Sequence, residues 1–242
     1  MNVSEKWRRL LRIWPIYPAV LFLLLLFVYP TALLVGLSVS DVDGKISVDH
    51  YARLFEGELY TKVLLITLKV AAWTTAFAII AGYPVAYLLA NVKSSLRNTL
   101  IIWVLLPFWT SFLVRTFAWL VLLGRKGAIN DLLIALGVID YPIKIIYNFT
   151  GVMIGMVHAL MPLCVLTMLA VMENIDTNLS KAAGTLGARR GQSFWRIYFP
   201  LSLPGVAAGG LLIFVTSLGF FITPALLGSA RETMIVQLIM FQ

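Results

Sequence analysis

Charge is scarce in this chain. Of its 242 residues only 12% are charged, whereas a soluble domain carries about a quarter. With 60% hydrophobic residues and a mean hydropathy of +0.92, that deficit excludes an ordinary soluble globule and points to the membrane class. Acids are scarcer still, at 11 Asp and Glu against 19 Lys and Arg, and the net charge is +8. None of the acids falls inside a long apolar run. A transporter driven by an ion gradient needs ionisable groups near the membrane midplane, so their near absence argues against that class. One cysteine, Cys164, excludes an intrachain disulfide. Two distant histidines, His50 and His158, exclude a metal site at sequence level, and His158 is expected to pack against a backbone carbonyl. There is no Gly-x-x-x-x-Gly-Lys-Ser/Thr phosphate loop, no Gly-x-Ser-x-Gly and no His-Glu-x-x-His. An enzyme reading therefore has no residues to stand on. No cofactor is expected in this chain, and no nucleic-acid partner is needed to explain its basic character, because basic loops orient helical membrane proteins.

What is present is apolar and long. Five segments, roughly 16–40, 63–90, 99–123, 150–172 and 201–222, each reach the roughly 20 residues that cross a bilayer as helix. Lipid offers no partner to free backbone groups, so the expected fold is all-α: a polytopic helical membrane protein, one transmembrane domain over 1–242. The start, with Lys6, Arg8, Arg9 and Arg12 before the first run, has the charge of a signal peptide, but the run is too long and lacks a small-x-small cleavage site. A retained helix is expected. The loops at 1–15, 91–98 and 173–200 hold ten Lys/Arg in 51 residues; those at 41–62, 124–149 and 223–242 hold seven in 68. The denser set should face the cytoplasm, which places the N-terminal segment 1–15 and the loop 173–200 inside. The other set carries Asp41, Asp43, Asp49, Glu56, Glu58, Asp131, Asp140 and Glu232.

The loop is the most informative stretch. It reads Lys181-Ala182-Ala183, then Gly187, then Ile197-x-Phe199-Pro200. Small residues at 182, 183 and 187 let a short helix lie close to a partner, and Gly187 can take a backbone angle that ends such a helix. Pro200 and Pro204 are expected at the start of the next span, where a missing N–H costs little. The spacing resembles the coupling loop of ABC-importer permeases, written EAA, three residues, Gly, nine residues, I-x-L-P. Lys181 departs from that pattern, which has an acid there. Gly82-Tyr83-Pro84-Val85-Ala86-Tyr87, Pro107-Phe108-Trp109-Thr110 and Gly137-Val138-Ile139-Asp140 are similar to the spermidine/putrescine importer permeases, the first of their two membrane subunits.

The resemblance implies a type I importer permease fold, with a sixth helix beyond Gln242. It implies a second related permease, an ATP-binding subunit dimer that holds ATP and Mg, and a substrate-binding protein outside a bacterial inner membrane. Lys181, Ala182, Ala183, Gly187, Ile197 and Pro200 would carry ATPase coupling, and polyamines would be the cargo. Ferric iron, sulfate or another small solute is the alternative, and a gradient-driven transporter a more distant one.

With no acid in the spans, a polycation must meet aromatic rings, among them Trp73, Tyr83, Tyr87, Trp103, Trp109 and Trp119. Most of these serve equally well as interfacial or packing residues. Tyr83, Trp109 and Arg115 are the expected pathway residues. Arg115, a charge in an apolar run, could equally bond a neighbouring helix. Lys69 is expected to snorkel to the headgroups. Gly151-x-x-x-Gly155 and Gly205-x-x-x-Gly209 predict close helix contacts.

Overall fold

The computed structural model describes residues 16–40, 47, 51 and 57–240. Segment 1–15, Asp41, Asp43, Asp49, His50, Glu56, Phe241 and Gln242 lie outside the described residues. Among the described residues every regular element is a helix, in two units that divide at Thr61 and Lys62.

The first unit contains α1, Ile16–Ser38, apolar along its length and long enough to cross a membrane. Its middle, Leu24–Val28, widens into a π-turn, in which Tyr29 N–H bonds to Leu24 O. Pro30 explains this. Proline cannot donate to the carbonyl four residues back, and its ring crowds that carbonyl, so the preceding turn loosens. Ser38 Oγ and Tyr51 OH, 2.9 Å apart, tie the helix end to the following segment.

The second unit continues α2, Glu58–Asn91, and adds α3, Ser94–Trp109; α4, Phe112–Leu122; α5, Ala128–Ala135; α6, Phe149–Met172; α7, Thr177–Thr185; α8, Arg190–Leu218; α9, Ile222–Leu227; and α10, Ile235–Met240. Helix α6 is apolar on all sides and the most buried, as expected of a central helix. It packs between α2 and α8 at glycines. A Cβ at Gly205 would stand 2.9 Å from Val171 Cβ and 3.2 Å from Met168 O; one at Gly82 would stand 3.2 Å from Met168 Cε. On α6 itself, a Cβ at Gly155 would stand 2.6 Å from Leu227 and Thr223, so the predicted glycine pairs do mark close contacts. Asn148 caps α6 by accepting Gly151 N–H at 3.0 Å. Met234 is fully buried, and Ile235 N–H donates to Thr67 Oγ1 at 2.9 Å, which fastens the last helix to α2.

Three predicted boundaries need correction. The 34 residues of α2 span about 51 Å, well beyond the roughly 30 Å of a hydrocarbon core. Hydropathy had marked the apolar part and not the helix. The predicted span 99–123 is two helices, α3 and α4, bent by 89°. Pro107 weakens the last turn of α3, and Thr110 and Ser111 are extended. Lastly, Pro200 and Pro204 do not start a helix. Helix α8 begins ten residues before Pro200, at Arg190, and passes it through a second π-turn, Phe194–Tyr198, where Phe199 N–H bonds to Phe194 O. Tyr29-Pro30 and Phe199-Pro200 stand in the same relation to their π-turns.

Candidate functional site: the 173–200 segment and the broken helix

Residues 173–200 form a built feature at one end of the bundle. Asp176 caps α7 by accepting Asn178 N–H at 2.9 Å, satisfying one of the orphan donors of the first turn. Lys181, Ala182 and Ala183 lie within α7, and the Lys181 ammonium donates to Asn178 Oδ1 at 3.3 Å. The helix ends at Gly187, whose φ of +86° is left-handed. Gly187 N–H bonds to Gly184 O and Ala188 N–H to Ala183 O, each at 3.0 Å. These are the paired bonds of a glycine-terminated helix, as expected of Gly187. Leu179, Ala182 and Leu186 share one exposed side of α7, and Leu186 is 89% exposed. Thr177, Ser180 and Gly184 share the other.

Beyond the turn, Gln192 Oε1 accepts Arg189 N–H at 3.0 Å, and α8 begins. Its π-turn carries Phe194, Ile197 and Tyr198. The Tyr87 ring meets Phe194 and Tyr198 edge-on at 5.3 and 4.9 Å, a geometry that aromatic rings favour. Tyr83 OH and Ser202 Oγ are 2.9 Å apart, and the Tyr83 ring lies 5.7 Å from Phe199. Asn91 reaches Tyr198 OH at 3.5 Å. The end of α2 is therefore bound to the start of α8 through aromatic rings. Ile197 is half-buried and Pro200 exposed. Arg97 and Glu173 form an ion pair at 3.2 Å between α3 and the end of α6.

The α3–α4 break holds the second group. The Arg115 guanidinium donates to Pro107 O, to Thr110 O at 3.1 Å and to Thr110 Oγ1 at 3.3 Å. It also lies 5.8 Å from the Phe112 ring centre. Arg115 thus bonds the end of the preceding half-helix, not a separate neighbouring helix. Its positive charge faces carbonyls at a helix C-terminus, where a cation is favoured. Trp109 is 74% exposed at this break. The contacts of Tyr83 and those of Arg115 share no residue, so the three expected pathway residues fall into two places.

His158 has a side-chain partner rather than a carbonyl: Trp119 Nε1 donates to its Nδ1 at 3.2 Å. Lys69 Nζ stands 5.1 Å over the Phe149 ring. Trp73 stacks on Phe77 at 5.4 Å, and Trp103 is exposed. The residues that sequence reasoning passed over are Leu186, the pair Arg97 and Glu173, and Phe194 with Tyr198. Only the last left a trace, an aromatic pair four apart.

Residues 77–241 match the family described as binding-protein-dependent transport system inner membrane component. The spermidine/putrescine transport system permease protein PotB of Escherichia coli (strain K12) is 37% identical over 226 residues, 90% of this chain and 82% of that one. Its counterpart in Haemophilus influenzae is 34% identical over 225 residues, 90% of this chain and 78% of that one. A solved structure, a bacterial ABC transporter involved in the import of the acidic polysaccharide alginate, superposes with a TM-score of 0.70. It covers 97% of this chain and 86% of its own at 22% identity, a likeness of fold. With an all-helical bundle, spans of sufficient length and a match over most of its residues, the chain belongs to the binding-protein-dependent transport system inner membrane components, the permease subunits of ABC importers.

Proposed function

We propose that this permease passes polyamines such as spermidine and putrescine across the inner membrane. The observation that carries the reading is identity of 37% sustained over 90% of the chain to a relative named for those substrates. The chain works with a second permease, an ATP-binding subunit dimer and an external substrate-binding protein. It performs no chemistry itself, and ATP and Mg are held by the partner. The end bearing residues 91–98 and 173–200 faces the cytoplasm, as its density of Lys and Arg favours.

The mechanism is alternating access. Closure of the ATPase dimer moves α7, whose exposed Leu179, Ala182 and Leu186 provide the apolar docking side. Lys181 and Ala183 set that helix, and Gly187 its end. The motion passes through Ile197, the π-turn and Pro200 into α8. Aromatic contacts to Tyr83 and Tyr87 then carry it to α2. Trp109 and Arg115, at the α3–α4 break, belong to the pathway wall.

ATP-dependent uptake into proteoliposomes containing all four kinds of subunit tests the reading. Labelled spermidine should accumulate only with ATP and the binding protein. Accumulation of ferric iron or sulfate in place of spermidine, or uptake driven by an ion gradient alone, would overturn it.

A further inference from the structure

Between α2, α4 and α6 the helices leave a groove of about 500 Å³. Phe77 of α2, Trp119 of α4, and Met153, Val157 and Met161 of α6 line it. Trp119 and His158, the two lining side chains with ring nitrogens, are bonded to each other at 3.2 Å. No carboxylate, lysine or arginine is among the lining residues. The groove therefore presents rings, branched chains and thioethers, and methionine adapts well to a flexible apolar occupant.

Its lining runs along α6 from Thr150 to Met161, about 17 Å at 1.5 Å per residue. Thr150 stands in the first turn of α6, so the groove starts at a helix end. One leaflet of the hydrocarbon core is half of about 30 Å, and the groove is one leaflet deep.

Lys69 sits at that end. Its Nζ stands 5.1 Å over the ring of Phe149, the residue before the first of the groove wall. Among the described residues no carboxylate pairs with it. An ammonium at the mouth of an apolar groove matches a long chain with an anionic head. A polycation there would meet a like charge instead. Lysine is a regular partner of phosphate oxygens, and a basic residue near the membrane surface attracts anionic lipid.

We infer that the groove holds one acyl chain of an anionic phospholipid, from the leaflet at the amino end of α6, with the lipid phosphate on Lys69. The chain fills the space beside the Trp119–His158 bond and completes the wall where α4 leans on α6.

The test uses the transporter with its partner subunits in nanodiscs of phosphatidylcholine. The probes are phosphatidylglycerol and phosphatidylcholine with dibrominated chains, because bromine quenches tryptophan on contact. The Trp119 contribution to fluorescence is the difference between wild type and Trp119→Phe. It should be quenched by brominated phosphatidylglycerol at about fivefold lower fraction than by brominated phosphatidylcholine, the effect of one lysine beside an anionic headgroup. Lys69→Gln should abolish that preference, and Lys69→Arg should keep it. Val157→Phe, which fills the groove, should reduce quenching by both lipids. A Trp119 that neither lipid quenches would show the groove closed to the bilayer, by the second permease for example, and would overturn the inference. Equal quenching by the two lipids, or a preference that survives Lys69→Gln, would overturn it as well.

Discussion

Arg97 and Glu173 close an ion pair of 3.2 Å between the first turns of α3 and the residue after α6. Arg97 lies in the helix that follows α2, and Glu173 opens the segment that leads into α7. Both are partly exposed, at 27% and 36%, so screening limits the pair to about 0–1 kcal/mol of stability. Its value lies in position. Arg97→Glu should leave the melting temperature within a few degrees of wild type but lower ATP-coupled uptake. The double exchange Arg97→Glu with Glu173→Arg should restore it. Equal uptake in the single and double variants would show that the pair positions nothing.

Gly187 sets a stricter requirement. At φ +86° a side chain with a Cβ costs about 1–2 kcal/mol, and asparagine tolerates that region best. Gly187→Val should therefore fray the end of α7 and uncouple ATP hydrolysis from uptake. Gly187→Asn should retain most of both. Steady-state ATPase stimulation by the loaded binding protein, measured beside uptake, separates the two. Indistinguishable behaviour of Val and Asn would mean that the left-handed turn is not what matters.

The helix contacts make a graded prediction. At Gly205 the atoms in the way are Val171 Cβ and Met168 O, which cannot swing aside. At Gly210 the nearest atom is Ile79 Cδ1 at 3.0 Å, the far end of a flexible side chain. Gly205→Ala should cost about 1–3 kcal/mol, the usual range for overpacking, and lower the unfolding temperature of the assembled protein. Gly210→Ala should cost distinctly less, since alanine also gains helix propensity.

Gly205, paired with Gly209, was legible because spacing alone decides which face the two share; Gly210 was not. Gly187 was legible for a similar reason: its place after Ala182-Ala183 marks a helix end. Helix boundaries were not. Hydropathy reports where lipid begins, and Glu58–Thr61 and Arg190–Ser193 are largely polar stretches that continue helices past that line. The break at Thr110 and Ser111 hid inside an apolar run, although Pro107 three residues earlier was its one local sign. Tyr83 was grouped with Trp109 by residue type. Its hydroxyl instead bonds Ser202, 119 residues away in sequence, and no local pattern contains such a pairing.

Orientation can be read with single cysteines in a Cys164→Ala background. Leu186 is 89% exposed and Tyr141 74%, which makes both labelling positions usable. Ser193, though in the same segment as Leu186, is buried and would label poorly whichever way the chain lies. Leu186→Cys should react with an impermeant maleimide only after the membrane is opened, and Tyr141→Cys in intact cells. The reverse pattern would invert the assignment of the ATPase-facing end.

Arg115 gives the sharpest separation between charge and geometry. Its planar guanidinium reaches Pro107 O, Thr110 O and Thr110 Oγ1 together, across an 89° bend. A lysine ammonium keeps the charge but cannot span three acceptors on two residues from one planar fork. If geometry holds the bend, Arg115→Lys should fail nearly as badly as Arg115→Ala. If charge alone matters, Lys should rescue. Geometry is expected to win, because Thr110 O would lose its guanidinium donor in an apolar run, where an unmet acceptor costs about 1–3 kcal/mol, whereas Pro107 O keeps the Thr110 N–H and hydroxyl. Arg115→Ala should then lower the unfolding temperature and the uptake rate. Guanidinium ion at millimolar concentration should restore part of both by refilling the same acceptors, whereas ammonium ion should not. Full uptake by Arg115→Lys, with no response to guanidinium in Arg115→Ala, would remove Arg115 as the pin of the broken helix and leave its charge as the functional element.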